Sequence, residues 1–162
     1  MLAELGNMIG RALLFGVAYA VAFIVVERVA ARRTGWGEYL KGLLKVLDTP
    51  AYLIPIWVGL AGLTAFVALL LLNSGIQVGI VALVCAALMG AINLFGEGFG
   101  VWVTLWRFAP RKTMVLGVPL WVPLSYGLAF TACPWLSGHP IGGIVQALLV
   151  GVAWLIVSKI IP

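Results

Sequence analysis

Five uninterrupted apolar stretches of about 20 residues govern this chain, because each is long enough to cross a hydrocarbon layer about 30 Å thick as a helix. They fall at 8–27, 51–72, 77–100, 114–136 and 140–160. Polar residues do not alternate with apolar ones inside the runs, which argues for helices over barrel strands. Hydrophobic residues make up 64% of the 162 positions and charged ones 9%, more apolar surface than a soluble domain of this size needs. The expected fold is all-α: a single domain over 1–162, a polytopic bundle of five transmembrane helices.

The connections add detail. Asn73-Ser74-Gly75 and Ser137-Gly138-His139-Pro140 read as tight turns, so the runs they join pack antiparallel. The link after the first run is longer. There Leu40, Leu43, Leu44 and Leu47 share a helical face, with Glu38, Lys41 and Lys45 elsewhere, which predicts a short interfacial helix between the first two spans. Asp48-Thr49-Pro50 reads as a cap and first turn of the second span. The first run lacks a strongly charged leading flank and is read as a retained helix.

Charge orients the bundle. Five crossings put Arg28, Arg32, Arg33, Lys41, Lys45, Arg107, Arg111, Lys112 and Lys159 on one side and only Arg11 on the other. Such a bias marks the basic side as cytoplasmic. The expected placement is a multi-pass protein of an inner or plasma membrane, amino terminus outside and carboxyl terminus in the cytoplasm. The net charge of +5 therefore serves orientation, and no nucleic-acid partner is expected.

Small residues recur every fourth position: Ala12-Gly16-Ala20, Ala82-Ala86-Gly90 and Gly143-Ala147-Gly151. That spacing lets helix backbones approach closely. Packing within one chain is the expected use, although an oligomer would leave the same signature. Cys85 and Cys133 form no CxxC motif and read as buried apolar residues at different depths, with no disulfide. His139 stands without neighbouring ligands, so neither a metal nor a cofactor is expected.

Glu97 is the chemical outlier. It sits near the end of the third run, where hydrocarbon cannot solvate a carboxylate. Asn93, four residues earlier, shares its helical face. Gly96, Gly98 and Gly100 surround it and leave room for a helix or a flat ligand. Two readings stay open: an interfacial ion pair with Arg107, Arg111 or Lys112, or an uncharged carboxyl inside the bundle. Trp102, Trp106, Trp121 and Tyr126 thicken the aromatic content around this segment, and ring faces attract positive charge. The remaining tryptophans, Trp36, Trp57, Trp135 and Trp154, read as interfacial belts. Asp48 belongs at the same membrane side and reads either as a helix cap or as a second carboxyl, giving an acid and a base. Pro119 and Pro123 in the fourth run leave two carbonyls without helical donors.

Three stretches here, Glu97-x-x-Gly100-Val101, Trp106-Arg107-Phe108 and Gly117-Val118-Pro119-Leu120-Trp121-Val122-Pro123, resemble the integral membrane carotenoid hydratases of the bacterioruberin type. More distantly they resemble membrane terpene cyclases. The likeness covers 97–124, and Val103-Thr104-Leu105-Trp106-Arg107 departs from the family pattern. It implies Glu97 as an acid and 117–123 as a pocket wall. The expected function is therefore acid catalysis by Glu97, with Asp48, on an alkene of a lipid-soluble isoprenoid, ending in cyclisation or hydration. Asn93, Trp102, Trp106, Trp121 and Tyr126 would line the substrate. The expected partners are that substrate and membrane lipids. The alternative is a non-catalytic lipid- or quinone-binding protein, or an accessory subunit of a membrane complex.

Overall fold

A computed structural model describes residues 2–35, 37–40, 44–47 and 49–161. The chain is mostly helical, and four helices are long and apolar enough to cross a membrane: α1 (Leu2–Thr34), α2 (Leu53–Asn73), α3 (Val78–Trp102) and, after two shorter helices, α6 (Pro140–Ile160). The fourth predicted span is not one helix. Residues 114–136 begin as a hairpin, β5 (Met114–Val115) and β6 (Val118–Pro119), and continue as α4 (Trp121–Phe130) and α5 (Cys133–Leu136).

The predicted interfacial helix is also replaced. The described part of the link holds strand β1 (Gly37–Tyr39) and the hairpin β2 (Lys45–Val46) with β3 (Thr49–Pro50). Gly35 and Gly37 open this link with positive φ, and Leu47 carries φ 50° at the hairpin turn. A right-handed helix admits neither conformation. The leucine spacing that suggested a helix was therefore overridden by the turn. Thr49 and Pro50 lie in β3 and do not start α2.

These departures expose a repeat. The first unit runs α1, β1, β2–β3, α2. The second runs α3, β4 (Trp106–Phe108), β5–β6, α4. Val-Leu-x-x-Pro occurs at 46–50 and again at 115–119, 69 positions on. Lys45 pairs with Pro50 and Met114 with Pro119. Leu47 and Leu116 both have positive φ, 50° and 53°. The hairpins close alike: Ala51 donates to the Leu44 carbonyl and Leu120 to that of Thr113, each at 2.9 Å. Pro55 and Pro123 are each the third residue of their helix, where a missing N–H interrupts no helical hydrogen bond. The two orphan carbonyls expected in a kinked fourth helix therefore do not arise, since Pro119 is a strand residue and Pro123 sits in a first turn.

The units meet on a local twofold. β1 pairs antiparallel with β4, Gly37 opposite Phe108, Glu38 opposite Arg107 and Tyr39 opposite Trp106. With the 69-position offset, Glu38 and Arg107 are each other's counterparts, so the axis passes through that pair.

The small-residue seams are used inside the chain, as expected. A Cβ on Gly16 would strike the Val58 carbonyl, and one on Gly62 would sit 3.2 Å from the Ala12 carbonyl, so α1 and α2 are in backbone contact. Gly90 and Gly127 do the same for α3 and α4, with Cβ approaches of 3.4 Å to the Pro123 carbonyl and 3.1 Å to the Ala86 carbonyl. Gly143 of α6 fits against Phe15 and Tyr19 of α1. Arg11 donates from Nε to the Gly138 carbonyl at 3.1 Å, tying the start of α1 to the α5–α6 turn at the end remote from the other basic residues. Cys85 and Cys133 are free and buried, as read. They lie beside each other rather than at different depths.

Candidate functional site

Two acids face one enclosed cavity. Glu27, near the end of α1, and Glu97, near the end of α3, line it together with Tyr39, Leu53, Trp57, Trp106, Tyr126 and Trp154. Its volume is about 20 Å³, room for about one water molecule. The repeat explains the composition. Glu27 and Glu97 come from equivalent helices, and Trp57 and Tyr126 from the first two turns of α2 and α4.

The two carboxyls differ in their partners. Glu27 is 4% exposed. Tyr39 donates its hydroxyl to Oε1, and the Thr49 hydroxyl donates to Oε2 at 2.6 Å. Glu97 is half-buried, and the Trp106 indole N–H beside it makes no hydrogen bond of normal geometry. At the positions 69 residues beyond Tyr39 and Thr49 stand Phe108 and Val118, which carry no hydroxyl. The second half of the site thus lacks counterparts of both donors that hold the first. Among the described residues no cation pairs with Glu97: Arg107 is engaged by Glu38, and Arg111 donates to the Thr34 carbonyl. Burial chiefly, and then the neighbouring Glu27 carboxylate, holds the Tyr39 phenol well above the usual tyrosine range. It therefore serves as an O–H donor and not as a base.

Thr49→Val, which copies Val118, is expected to cost about 1–3 kcal/mol by stripping a buried oxygen of its donor. Unfolding by dodecyl sulfate in mixed micelles measures this. An unchanged midpoint would mean that Glu27 does not depend on the contact.

Each predicted site residue but Asp48 has a definite place. Asn93 is buried on the face of α3 that carries Glu97, and its Nδ2 donates to the Met89 carbonyl at 2.8 Å. Trp106 is buried, its indole lying directly over Gly100. The close approach that the glycines permit is thus made by the chain's own ring, while Leu116 covers Gly98 and Gly96 stays open. Tyr126 lines the cavity. Trp121 is buried one layer behind it, edge-on to Trp154 with centroids 5.7 Å apart. Trp102 is 78% exposed and away from the cavity. Asp48 lies outside the described residues, as do Trp36, Lys41 and Leu43.

Sequence reasoning missed Glu27, Tyr39, Thr49, Trp57 and Trp154 as site residues. Trp57 and Trp154, assigned to interfacial belts, sit in an inner aromatic cluster. Phe23 meets Trp57, Tyr126 and Trp154 with centroids 4.8, 5.9 and 5.7 Å away. The signal available was the repeat itself, since a glutamate precedes each Val-Leu-x-x-Pro at nearly the same distance.

Two larger spaces flank the cavity. One, about 260 Å³, is an apolar groove between α2 and α3, lined by Tyr52, Ile56, Leu60, Ile92 and Phe99 among others, and it reaches Gly96, Glu97 and Trp106. The other, about 360 Å³, lies at the basic end between α1 and the β arms, and includes Glu27, Arg28, Arg32, Tyr39, Lys45 and Thr49. No family model, curated protein or solved structure matches the chain.

Proposed function

We propose that this is a membrane enzyme in which Glu97 gives a proton to an alkene of a lipid-soluble isoprenoid held in the α2–α3 groove. One observation carries the reading: an unpaired acid stands where an apolar groove meets an aromatic-walled cavity. An apolar groove suits a substrate dissolved in lipid, with few polar groups to orient it. A carboxyl without cationic partners in greasy surroundings favours its neutral form, which can donate. The faces of Trp57, Trp106 and Tyr126 would stabilise the resulting carbocation. Of Trp102, Trp121 and Tyr126, the aromatics expected to shield the cation, Tyr126 lines the cavity and the other two do not, while Trp106, expected only to line the substrate, joins it there.

The proton forms a new C–H bond, and the alkene's electron pair leaves the neighbouring carbon cationic. In cyclisation, a second alkene of the same molecule attacks the cation, and a proton leaves an adjacent carbon, so the product is an isomer. In hydration, water adds and releases its surplus proton. The resemblance to membrane carotenoid hydratases and terpene cyclases supports this chemistry. The charge bias supports an inner or plasma membrane placement with the basic end, and hence the carboxyls, toward the cytoplasm.

The test uses purified protein in phosphatidylcholine vesicles and deuterated buffer. Squalene, geranylgeraniol and lycopene are each supplied as substrate. Deuterium bound to carbon in the recovered lipid is the expected result, read by mass spectrometry. Gly96→Phe, which fills the groove beside Glu97, should reduce it by about tenfold or more. No carbon-bound deuterium in any of the three, with a quinone or a stoichiometric protein partner co-purifying unchanged, would replace this reading with a binding or accessory role.

A further inference from the structure

We infer that Glu27 is a relay that returns protons from water at the basic end to Glu97. The inference rests on Glu97 as donor, and it adds a second carboxyl to the reaction cycle. Three spaces lie in series. The outer pocket at the basic end and the enclosed cavity share Glu27 and Tyr39 as their common wall. The cavity and the lipid-facing groove share Leu53, Trp57, Glu97 and Trp106. The outer pocket and the groove share no lining residue. A proton moving from one to the other through these spaces therefore passes Glu27, then the cavity, then Glu97.

Each stage has a chemical carrier. Arg28, Arg32, Lys45 and Glu38 are among the residues lining the outer pocket, which opens outward at the basic end. Glu27 stands behind it with Tyr39 and Thr49 donating to its two oxygens, contacts that fix its orientation. The cavity has room for one water, and a carboxyl on either side lets that water take a proton from one and give it to the other. The water is unchanged, Glu27 is reprotonated from outside, and the Glu97 carboxylate left by alkene protonation becomes an acid again. The groups facing Glu27 are Tyr39 and Thr49 from the first arm, with Glu97, Tyr126 and Trp154 across the cavity. The division of labour follows the two halves of the repeat: the half with hydroxyls meets water, and the half without them meets lipid.

The test needs no substrate. Full-length protein in phosphatidylcholine–phosphatidylglycerol vesicles is moved from light to heavy water at mildly acidic pH, and the C=O stretch of protonated carboxyls is followed by infrared spectroscopy. The Glu97 band is the one absent from Glu97→Gln. Glu27→Gln is expected to slow isotope exchange of that band by about 100-fold, and Glu27→Asp to restore much of the rate. Ala31→Trp, which narrows the outer pocket while leaving both carboxyls in the chain, should also slow it and decides the matter if Glu27→Gln does not fold. Exchange at the wild-type rate in these variants overturns the relay and leaves the donor role of Glu97 standing. If Glu97→Gln removes no C=O band, Glu97 is not a protonated carboxyl, and both readings fall.

Discussion

Glu97→Gln is expected to slow transfer of deuterium to the isoprenoid by about 100- to 10,000-fold, the usual contribution of a positioned acid. Glutamine keeps the shape of the side chain but has no acidic proton. The fold should be untouched, because Glu97 has no ion-pair partner among the described residues to strand. The tryptophan cluster supplies the control: near-ultraviolet circular dichroism of Trp121 and Trp154, packed edge to face, should melt at the wild-type temperature. A variant that transfers deuterium at the normal rate would leave Glu97 without its proposed role, whatever the lipid.

Gly100→Leu should damage the molecule most. A single Cβ at this position already meets three atoms of the Trp106 indole. That ring is buried, belongs to β4, and faces Tyr39 edge-on with centroids 6.2 Å apart. It cannot move without disturbing both the cavity wall and the β1–β4 joint. Overpacking of this kind costs about 3 kcal/mol or more when the obstructing group is rigid. Adding Trp106→Ala should recover part of the loss, a coupling of about 1–3 kcal/mol between touching residues. Dodecyl sulfate unfolding in mixed micelles reads both numbers. An unshifted midpoint for Gly100→Leu would show that the indole does not rest on that glycine.

The apolar runs disclosed the long helices to within a few residues, except that α1 extends beyond its run at both ends. They did so because hydrocarbon demands unbroken length and little else. The glycine and alanine seams were also legible, since close backbone approach needs small residues at one spacing. The β arms were not. Leu40, Leu43, Leu44 and Leu47 have helical periodicity, yet the positive φ at Leu47 belongs to a turn. Hydrophobic spacing says nothing about that choice. Glu97 was found because it is isolated. Glu27 was passed over because Arg28 follows it, which made it look like part of a charged flank. Its true neighbours are Tyr39 and Thr49, 12 and 22 residues away in sequence, and only the returning arm brings them there. Asp48 was singled out by its membrane side alone, and it lies outside the described residues.

The Glu38–Arg107 rung has a consequence for why the two halves share one chain. Were these units separate and identical molecules meeting on the same axis, the residue at that rung would confront its own copy, carboxylate to carboxylate or guanidinium to guanidinium. Covalent linkage frees the two positions to differ in sign. The same freedom permits one acid to be chaperoned by hydroxyls while its twin is left bare, an inequality that a symmetric dimer of a single gene product could not encode.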